Sequence, residues 1–262
     1  LRYTSTKAQN LELPPKVIHV DISPEPIGKL YQPTVAIVGD AKAVLRGLAD
    51  EVRGKPTNIE TNFGTDIESV KNEVASFLLE NLPNPMKTMR TIRDIVGRDA
   101  IFTGDAAISA TRGGNACLPV YEPRTYLPPV WGGLGFAFPA AMGAKIGNPD
   151  RNVVCITGDG GFQFNIQEIG TCVQYGIAPI ILVFNDNAWG STRQRQRAGY
   201  NDRFIGTDLK NPDFAKVAEA YGAQGVQVAS LQELEKALLV AIKSSVITVI
   251  EVATPDGFDQ FV

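Results

Sequence analysis

Short apolar runs alternate with amphipathic or small-residue segments from about residue 83 to the end of the chain. Most runs end at glycine, asparagine or proline, which is typical of buried strands in a parallel sheet. Six strands are predicted, at residues 100–103, 125–127, 152–157, 180–184, 225–228 and 246–252. Helices are predicted between them, at residues 136–146, 162–175, 213–221 and 231–244. This alternation predicts an α/β fold with a doubly wound, mostly parallel six-stranded sheet and helices on both faces.

Two regions precede this sheet. Residues 1–55 contain two further apolar runs and are predicted to be the remnant of a second α/β domain. Residues 56–82 are predicted to be a linker that continues into a surface helix from Ile67. Asn84-Pro85 predicts the start of the next helix, with the asparagine as its cap and the proline in its first turn. The sheet domain is therefore expected to span residues 83–262.

Composition excludes two classes of partner and indicates a compartment. Lys and Arg together number 25 against 28 Asp and Glu, so the chain has no basic excess for binding nucleic acid. No apolar run is long enough to span a bilayer, so a membrane is not expected as a partner either. The three cysteines, Cys117, Cys155 and Cys172, lack metal or redox spacing and are expected to be reduced thiols of a cytoplasmic protein.

Two acidic motifs follow neighbouring predicted strands. Gly158-Asp159-Gly160 ends the strand at 152–157, and Asn185-Asp186-Asn187 ends the strand at 180–184. Parallel strands present their carboxyl ends on one edge of a sheet, so the two carboxylates are expected to lie close together. Mg²⁺ or Ca²⁺ binds diphosphate with one or two protein carboxylates, and Gly160 and Gly161 lack a Cβ that would keep backbone N–H groups from phosphate oxygens. Each motif alone is ordinary turn chemistry, but their joint placement favours a metal-bridged diphosphate site.

The two motifs resemble the diphosphate motif of thiamine-diphosphate (ThDP) enzymes related to acetolactate synthase. In that family Gly-Asp-Gly is followed, about one crossover later, by Asn-Asn, whose second residue binds the metal. The resemblance implies three metal ligands: Asp159, Asp186 and the main-chain carbonyl of Ala188. It also implies four residues beside the cofactor: Gly158, Gly160, Gly161 and Asn185. Asp186 departs from the family's asparagine and adds a negative charge, so Mg²⁺ is expected but the selectivity among divalent ions stays open.

A second stretch, residues 134–144, resembles the family's element of a bulky apolar residue, glycine, small residues and proline followed by Ala-Ala-x-Gly-Ala. The resemblance implies that Leu134 holds ThDP in the bent conformation that its activation requires. The alternative is an ordinary core leucine. Residues 105–109 match the family's Asp-x-Gly segment, but Ala107 replaces the glycine, so Ser109 alone is implied as a diphosphate contact. The resemblance continues through Asn211-Pro212-Asp213-Phe214 and covers nearly the whole chain.

The resemblance also implies an incomplete enzyme. Residues 1–55 resemble the end of the family's central domain, and residues 83–262 its diphosphate- and Mg-binding domain. The pyrimidine-binding domain, which carries the activating glutamate, has no counterpart. We therefore expect the chain to be a fragment, a nicked half or a natural subunit that is inactive alone. Its partner would be a pyrimidine-domain chain or N-terminal half, within a complete enzyme that is a homodimer or homotetramer.

The implied reaction is ThDP- and Mg-dependent decarboxylation of a 2-oxo acid followed by carboligation, as in acetolactate synthase, with a 2-oxo acid or aldehyde as the small-molecule substrate. The alternatives are a sulfoacetaldehyde acetyltransferase, a simple 2-oxo acid decarboxylase and, from another class, a non-catalytic interaction subunit. Arg195 matches a family position that shapes the acceptor pocket, where an arginine favours an anionic acceptor. The segment from Arg193 to Arg197 can also be read as a solvated or lid-forming helix. Whether FAD is bound stays open.

Overall fold

The computed structural model of the protein describes residues 14–55 and 63–261. The chain divides into two compact units between Gly64 and Thr65. Within the described residues, no helix is both long enough and apolar enough to cross a lipid bilayer.

The smaller unit contains two parallel strands, β1 (Ile18–Asp21) and β2 (Val35–Val38), and the helix α1 (Ala41–Val52). Asp40 caps this helix by accepting a hydrogen bond from the backbone N–H of Ala43 at 3.0 Å. No residue between 14 and 55 is buried, and several apolar side chains of the two strands and the helix are exposed. Residues 14–55 therefore bury too little apolar surface to form a stable unit by themselves.

The larger unit is built on a six-stranded sheet. Its strands are β3 (Ile101–Gly104), β4 (Tyr126–Leu127), β5 (Val153–Gly158), β6 (Ile180–Asn185), β7 (Gln224–Val228) and β8 (Thr248–Ala253). They lie in the order β4-β3-β5-β6-β8-β7, and every neighbouring pair is parallel. The predicted six-stranded α/β sheet is confirmed. The strand order reverses between β3 and β5, and such a reversal opens a crevice for ligands at the carboxyl ends of the strands.

Nine helices lie in the described part of the chain, eight of them wholly or largely in the larger unit. The eight are α2 (Phe63–Asn81), α3 (Pro83–Val96), α4 (Ala137–Gly147), α5 (Asp159–Phe162), α6 (Glu168–Tyr175), α7 (Gly190–Tyr200), α8 (Phe214–Ala220) and α9 (Leu231–Ala241). A π-helix at Ser109–Cys117 and a 3₁₀ turn at Phe258–Gln260 complete this unit.

Each face of the sheet carries its own core because strand side chains alternate between the faces. On β5, Val154 and Ile156 pack with α3 and α9, whereas Val153 and Cys155 pack with α4, α6 and α8. Both cores consist of almost fully buried aliphatic and aromatic side chains. The sheet is therefore a rigid support for the loops at its carboxyl edge.

Two helix predictions are wrong in detail. Helix α3 begins at Pro83 with Leu82 as its cap residue, and the Asn84 side chain donates to the carbonyl of Asp259 at 3.0 Å instead of capping the helix. The helix predicted at residues 162–175 is broken into α5 and α6. Between them, Asn165 donates its side-chain amide to the carbonyl of Gly135 at 2.6 Å. A side chain engaged with a remote loop here replaces the continuous helix that the local pattern predicts.

The three cysteines are unpaired and buried in the structure. Burial raises the pKa of Cys117 to about 11 and that of Cys172 to about 12. Neutral buried thiols are poor nucleophiles and poor metal ligands, so these residues serve packing.

Candidate functional site

The two acidic motifs lie side by side at the carboxyl edge of the sheet. Strands β5 and β6 pair in parallel, with Gly158 opposite Phe184 at the end of the ladder. Asp159 therefore begins the turn after β5, and Asp186 follows the last residue of β6. The turn after β5 borders the crevice created by the reversal of strand order, and the turn after β6 lies beside it.

Asp159 and Asp186 meet at a single backbone amide. The N–H of Ala188 lies 3.2 Å from Oδ2 of Asp159 and also 3.2 Å from Oδ1 of Asp186. The main chain reaches this position because Asn187 adopts a left-handed conformation, with φ of 54°, a conformation that asparagine tolerates. Two carboxylates that share one donor are close enough to bind one cation together.

The electrostatics of this pair favour a bound cation. Burial raises the pKa of Asp159. Burial and the charge of Asp159 raise the pKa of Asp186 to about 6. No third Asp, Glu, His or Cys joins the pair among the described residues. A hard divalent ion would neutralise the two carboxylates and would take its remaining ligands from main-chain, water or diphosphate oxygens, so the residues present fit a metal-bound diphosphate.

The raised pKa of Asp186 predicts that the metal-free protein loses folding stability as the pH rises. An unfolded aspartate ionises near its ordinary pKa of about 4, whereas the folded one retains its proton up to about pH 6. The folded state thus binds more protons in this window, so its stability falls as pH rises from about 4 through 6. Asp186→Asn should remove this loss and be about 2 kcal/mol more stable than native at pH 7, allowing for partial solvent screening.

Urea unfolding in metal-free buffer at pH 4.0 to 7.5 measures this difference. The two proteins should have similar stability at the acidic end and diverge towards neutral pH. Parallel stability curves across the whole range would show that Asp186 is not buried beside Asp159 as the structure places it.

The glycine turn is closely packed by side chains. A Cβ on Gly160 would lie 2.8 Å from two ring carbons of Trp189, and one on Gly161 would lie 2.8 Å from Oδ2 of Asp105. The sequence pattern indicates phosphate approach as the reason for both glycines. In the structure these neighbours already require glycine, because neither position has room for a larger residue.

Asp105 connects the glycine turn to the loop that carries Leu134. Its buried carboxylate accepts hydrogen bonds from the N–H of Gly135 at 3.0 and 3.1 Å and from the hydroxyl of Thr157 at 3.1 Å. The carbonyl of Gly135 is held from the other side by Asn165. Leu134 itself is 42% exposed, so it is not the ordinary core leucine of the alternative interpretation. Its side chain is available at the surface on a loop that is fixed at the next residue.

Two of the implied cofactor contacts are engaged within the protein. The hydroxyl of Ser109 is buried and lies 3.5 Å from the carbonyl of Thr157. The side chain of Asn185 donates to Oε1 of Glu251 at 2.7 Å and accepts from the N–H of Asn187 at 3.0 Å. Both side chains therefore stabilise the loops of the site through contacts within the protein.

A family model described as "Thiamine pyrophosphate enzyme, C-terminal TPP binding domain" matches residues 107–252, more than half of the chain. The chain belongs to this family. Thiamine pyrophosphate and ThDP are the same cofactor, so the resemblance inferred from the sequence is confirmed. The matched residues include both acidic motifs and Leu134.

Sequence relatives in this family include acetolactate synthases. The large subunit from Haemophilus influenzae is 36% identical over 233 residues, which is 85% of this chain and 40% of that protein. The probable large subunit from Methanococcus aeolicus is 33% identical over 245 residues, 87% of this chain and 41% of that protein. The Mycobacterium avium enzyme is 37% identical over 225 residues, 81% and 36% respectively. The chain spans about 40% of the length of these relatives.

A solved structure shares the fold. The ThDP-dependent 4-hydroxybenzoylformate decarboxylase from Rhodococcus jostii RHA1 superposes with a TM-score of 0.71, covering 92% of this chain and 45% of that one. The identity is 24%, so this likeness concerns the doubly wound α/β architecture alone.

The arginine-rich segment of this ThDP-family chain forms helix α7. Arg193 and Arg197 lie on one face, pair with Asp208 and Asp202 and approach the ring of Phe204, at 5.1 and 5.6 Å from its centroid. Arg195 is exposed and makes no ion pair among the described residues. It is the arginine of this helix whose charge is free to meet a ligand.

Three residues of the ThDP-family site, Asp105, Trp189 and Asn211, are not predicted from the sequence. Asp105 and Asn211 hydrogen-bond to elements of the site, and Trp189 covers Gly160. All three lie in stretches that resemble the family, so the sequence identifies their positions. Their roles could not be predicted from the sequence, because each role depends on a contact with a distant part of the chain.

Proposed function

We propose that this chain is the diphosphate- and Mg²⁺-binding part of a ThDP-dependent enzyme that decarboxylates a 2-oxo acid and performs carboligation. The observation that carries the proposal is the pair of carboxylates, Asp159 and Asp186, bound to one amide at the sheet edge. The acetolactate synthase relatives support carboligation as the reaction type. ThDP supplies the nucleophilic carbon and the electron sink, and the protein supplies binding and orientation.

Different residues of the chain would bind the metal, approach the diphosphate and support the bent cofactor. Asp159, Asp186 and the carbonyl of Ala188 would bind Mg²⁺, which attaches the diphosphate to the sheet edge. The glycine turn, residues 158–161, would approach the diphosphate with its backbone, at the start of α5. Leu134 would support the bent cofactor, and the hydrogen bonds to Gly135 keep its loop in place.

The acceptor side of the proposed reaction involves α7. Arg195 would meet an anionic acceptor, since its guanidinium can pair with a carboxylate or sulfonate in bidentate fashion. Arg193 and Arg197 form ion pairs with aspartates of the chain, whereas Arg195 is exposed. This difference supports the proposal of an anionic acceptor.

We also propose that turnover requires a pyrimidine-binding domain in addition to the residues present here. Trp131 and Val130, in the loop before Leu134, are 96% and 81% exposed. Exposed apolar side chains of this size are typical of a surface that another domain covers. A domain seated there would lie beside the proposed cofactor site.

Binding and turnover measurements test the proposal. Melting temperature is measured with ThDP, with Mg²⁺ and with both, for the chain alone and after adding a chain that carries the pyrimidine-binding domain. Both ligands together should stabilise the complex increasingly with ligand excess. With short 2-oxo acids, CO₂ release and a carboligation product should appear in the complex and not in the chain alone. Turnover by the chain alone would contradict the partner requirement, and CO₂ release without a ligated product would identify a simple decarboxylase.

The non-catalytic alternative gives a different result in the same assay. An interaction subunit would pair with its partner without being stabilised by ThDP and Mg²⁺. The complete carboxylate pair opposes this alternative, because two buried acids that crowd each other cost stability unless a cation neutralises them.

A further inference from the structure

One side chain outside the two acidic motifs touches both of them. The side-chain nitrogen of Asn211 lies 2.7 Å from Oδ2 of Asp159, 2.8 Å from Oδ1 of Asn185 and 3.2 Å from Oδ1 of Asn187. Its own side-chain oxygen accepts a hydrogen bond from Gln163 at 2.7 Å. Asn211 thus joins the turn after β5 to the turn after β6, although it belongs to neither.

These contacts leave the carboxylate of Asp159 little freedom. Oδ2 accepts from Asn211 and from the N–H of Ala188, while Oδ1 accepts from the N–H of Gly160 at 2.8 Å. A carboxylate offers about four lone-pair sites, so roughly one remains, on Oδ1. The carboxylate is therefore held in one orientation, with Oδ1 as the atom left to bind a ligand.

On the side away from Asp159, hydrogen bonds attach this network to the sheet. Asn185 donates to Oε1 of Glu251 at 2.7 Å, and Oε2 of Glu251 accepts from the N–H of Phe214 at 2.9 Å. Glu251 is buried on β8, and Phe214 begins α8. Asn211 is followed by Pro212, whose ring restricts the backbone at this point. The amide of Asn211 therefore approaches Asp159 from a rigid position.

We propose that Asn211 is a positioning residue that fixes the carboxylate of Asp159 for metal binding. The inference rests on the proposed function, in which Asp159 and Asp186 bind a divalent cation. A misplaced carboxylate should harm Mg²⁺ binding more than Ca²⁺ binding, because Mg²⁺ demands short, nearly octahedral coordination and Ca²⁺ accepts irregular geometry. Asn211 thereby contributes to the selectivity for Mg²⁺.

Asn211→Ala tests this role in the complex with the pyrimidine-domain chain. Titration calorimetry gives the affinities for Mg²⁺ and for Ca²⁺ at saturating ThDP, and a melting curve without metal gives the stability. Loss of a hydrogen-bond partner behind a metal ligand typically weakens metal affinity about 10- to 100-fold. We expect a loss of this size for Mg²⁺ and a loss at least about threefold smaller for Ca²⁺.

Two further variants complete the test. Gln163→Ala removes the donor to the Asn211 oxygen from an exposed position, so it should fold and shift the Mg²⁺ to Ca²⁺ ratio in the same direction by a smaller factor. If Asn211→Ala does not fold, this variant decides the question. Gln227→Ala is the matched control, because Gln227 lines the same cavity of about 320 Å³ as Asn211 without a hydrogen bond to the network, and it should leave both affinities unchanged.

The outcomes separate the inference from the proposed function. If the native complex binds neither cation, the proposed function fails and the inference fails with it. If the native complex binds Mg²⁺ but Asn211→Ala binds it within about twofold of native, or loses equal factors for both ions, the inference alone is overturned. A purely structural role would lower the melting temperature and leave the ratio of the two affinities unchanged.

Discussion

Asp159→Ala is expected to abolish metal-dependent binding of ThDP. The change removes one of the two carboxylates that meet at the N–H of Ala188 and leaves Asp186 to hold the cation without its partner. Removing one partner of a buried ion pair, here the carboxylate that would face the cation, typically costs about 3 to 5 kcal/mol. This energy corresponds to a loss of roughly two to three and a half orders of magnitude in affinity. Titration of ThDP at fixed Mg²⁺, followed by the melting temperature of the complex, measures the effect.

Asp202→Ala is the matched control for this substitution. Asp202 is also an aspartate of the larger unit, but it is exposed and pairs with Arg197 at the end of α7. Its removal should leave ThDP binding unchanged. Circular dichroism of both variants without metal checks that the sheet is intact. Native affinity in Asp159→Ala would mean that the metal site has been assigned to the wrong residues.

The position of the two carboxylates could be predicted from sequence because it follows from local rules. Each apolar run identifies a strand, parallel strands end at one edge, and the residue after the strand is placed by that edge alone. The four inner strands, β3, β5, β6 and β8, were found for a related reason, since a strand buried on both faces is mostly apolar. The motifs at residues 158–160 and 185–187 needed no long-range information beyond the pairing of β5 with β6.

The role of Asn211 could not be predicted in this way. It lies 52 residues from Asp159 in sequence, and no periodic pattern connects the two. The same limit explains the broken helix, where Asn165 bonds to Gly135 across 30 residues. Gly160 shows a further limit: an absent Cβ fits both a phosphate and the ring of Trp189, and the sequence does not distinguish them. Contacts between remote loops decide these details, and no local pattern in the sequence specifies such contacts.

Among single glycine-to-alanine substitutions in the larger unit, Gly225→Ala is expected to be the most destabilising. Gly225 lies on the edge strand β7, beneath the start of α8. A Cβ there would overlap the carbonyl oxygen of Ala215 and lie 2.7 Å from its carbonyl carbon. Both are backbone atoms, so no side chain can rotate away. Helix α8 would have to move, and Phe214, which is fully buried against Phe162, would move with it.

Overpacking of this kind should cost about 3 kcal/mol or more, which corresponds to a fall of roughly 6 to 12 °C in the melting temperature of a domain of this size. Gly143→Ala is the matched control, since the added Cβ on α4 meets nothing within 4 Å. An alanine at an exposed helix position should be neutral or stabilise by up to about 1 kcal/mol. Thermal and urea unfolding of the two variants give the comparison. Native stability in Gly225→Ala would show that α8 does not press on β7 as closely as the structure places it, and the link from Phe214 through Glu251 to Asn185 would then lose its support.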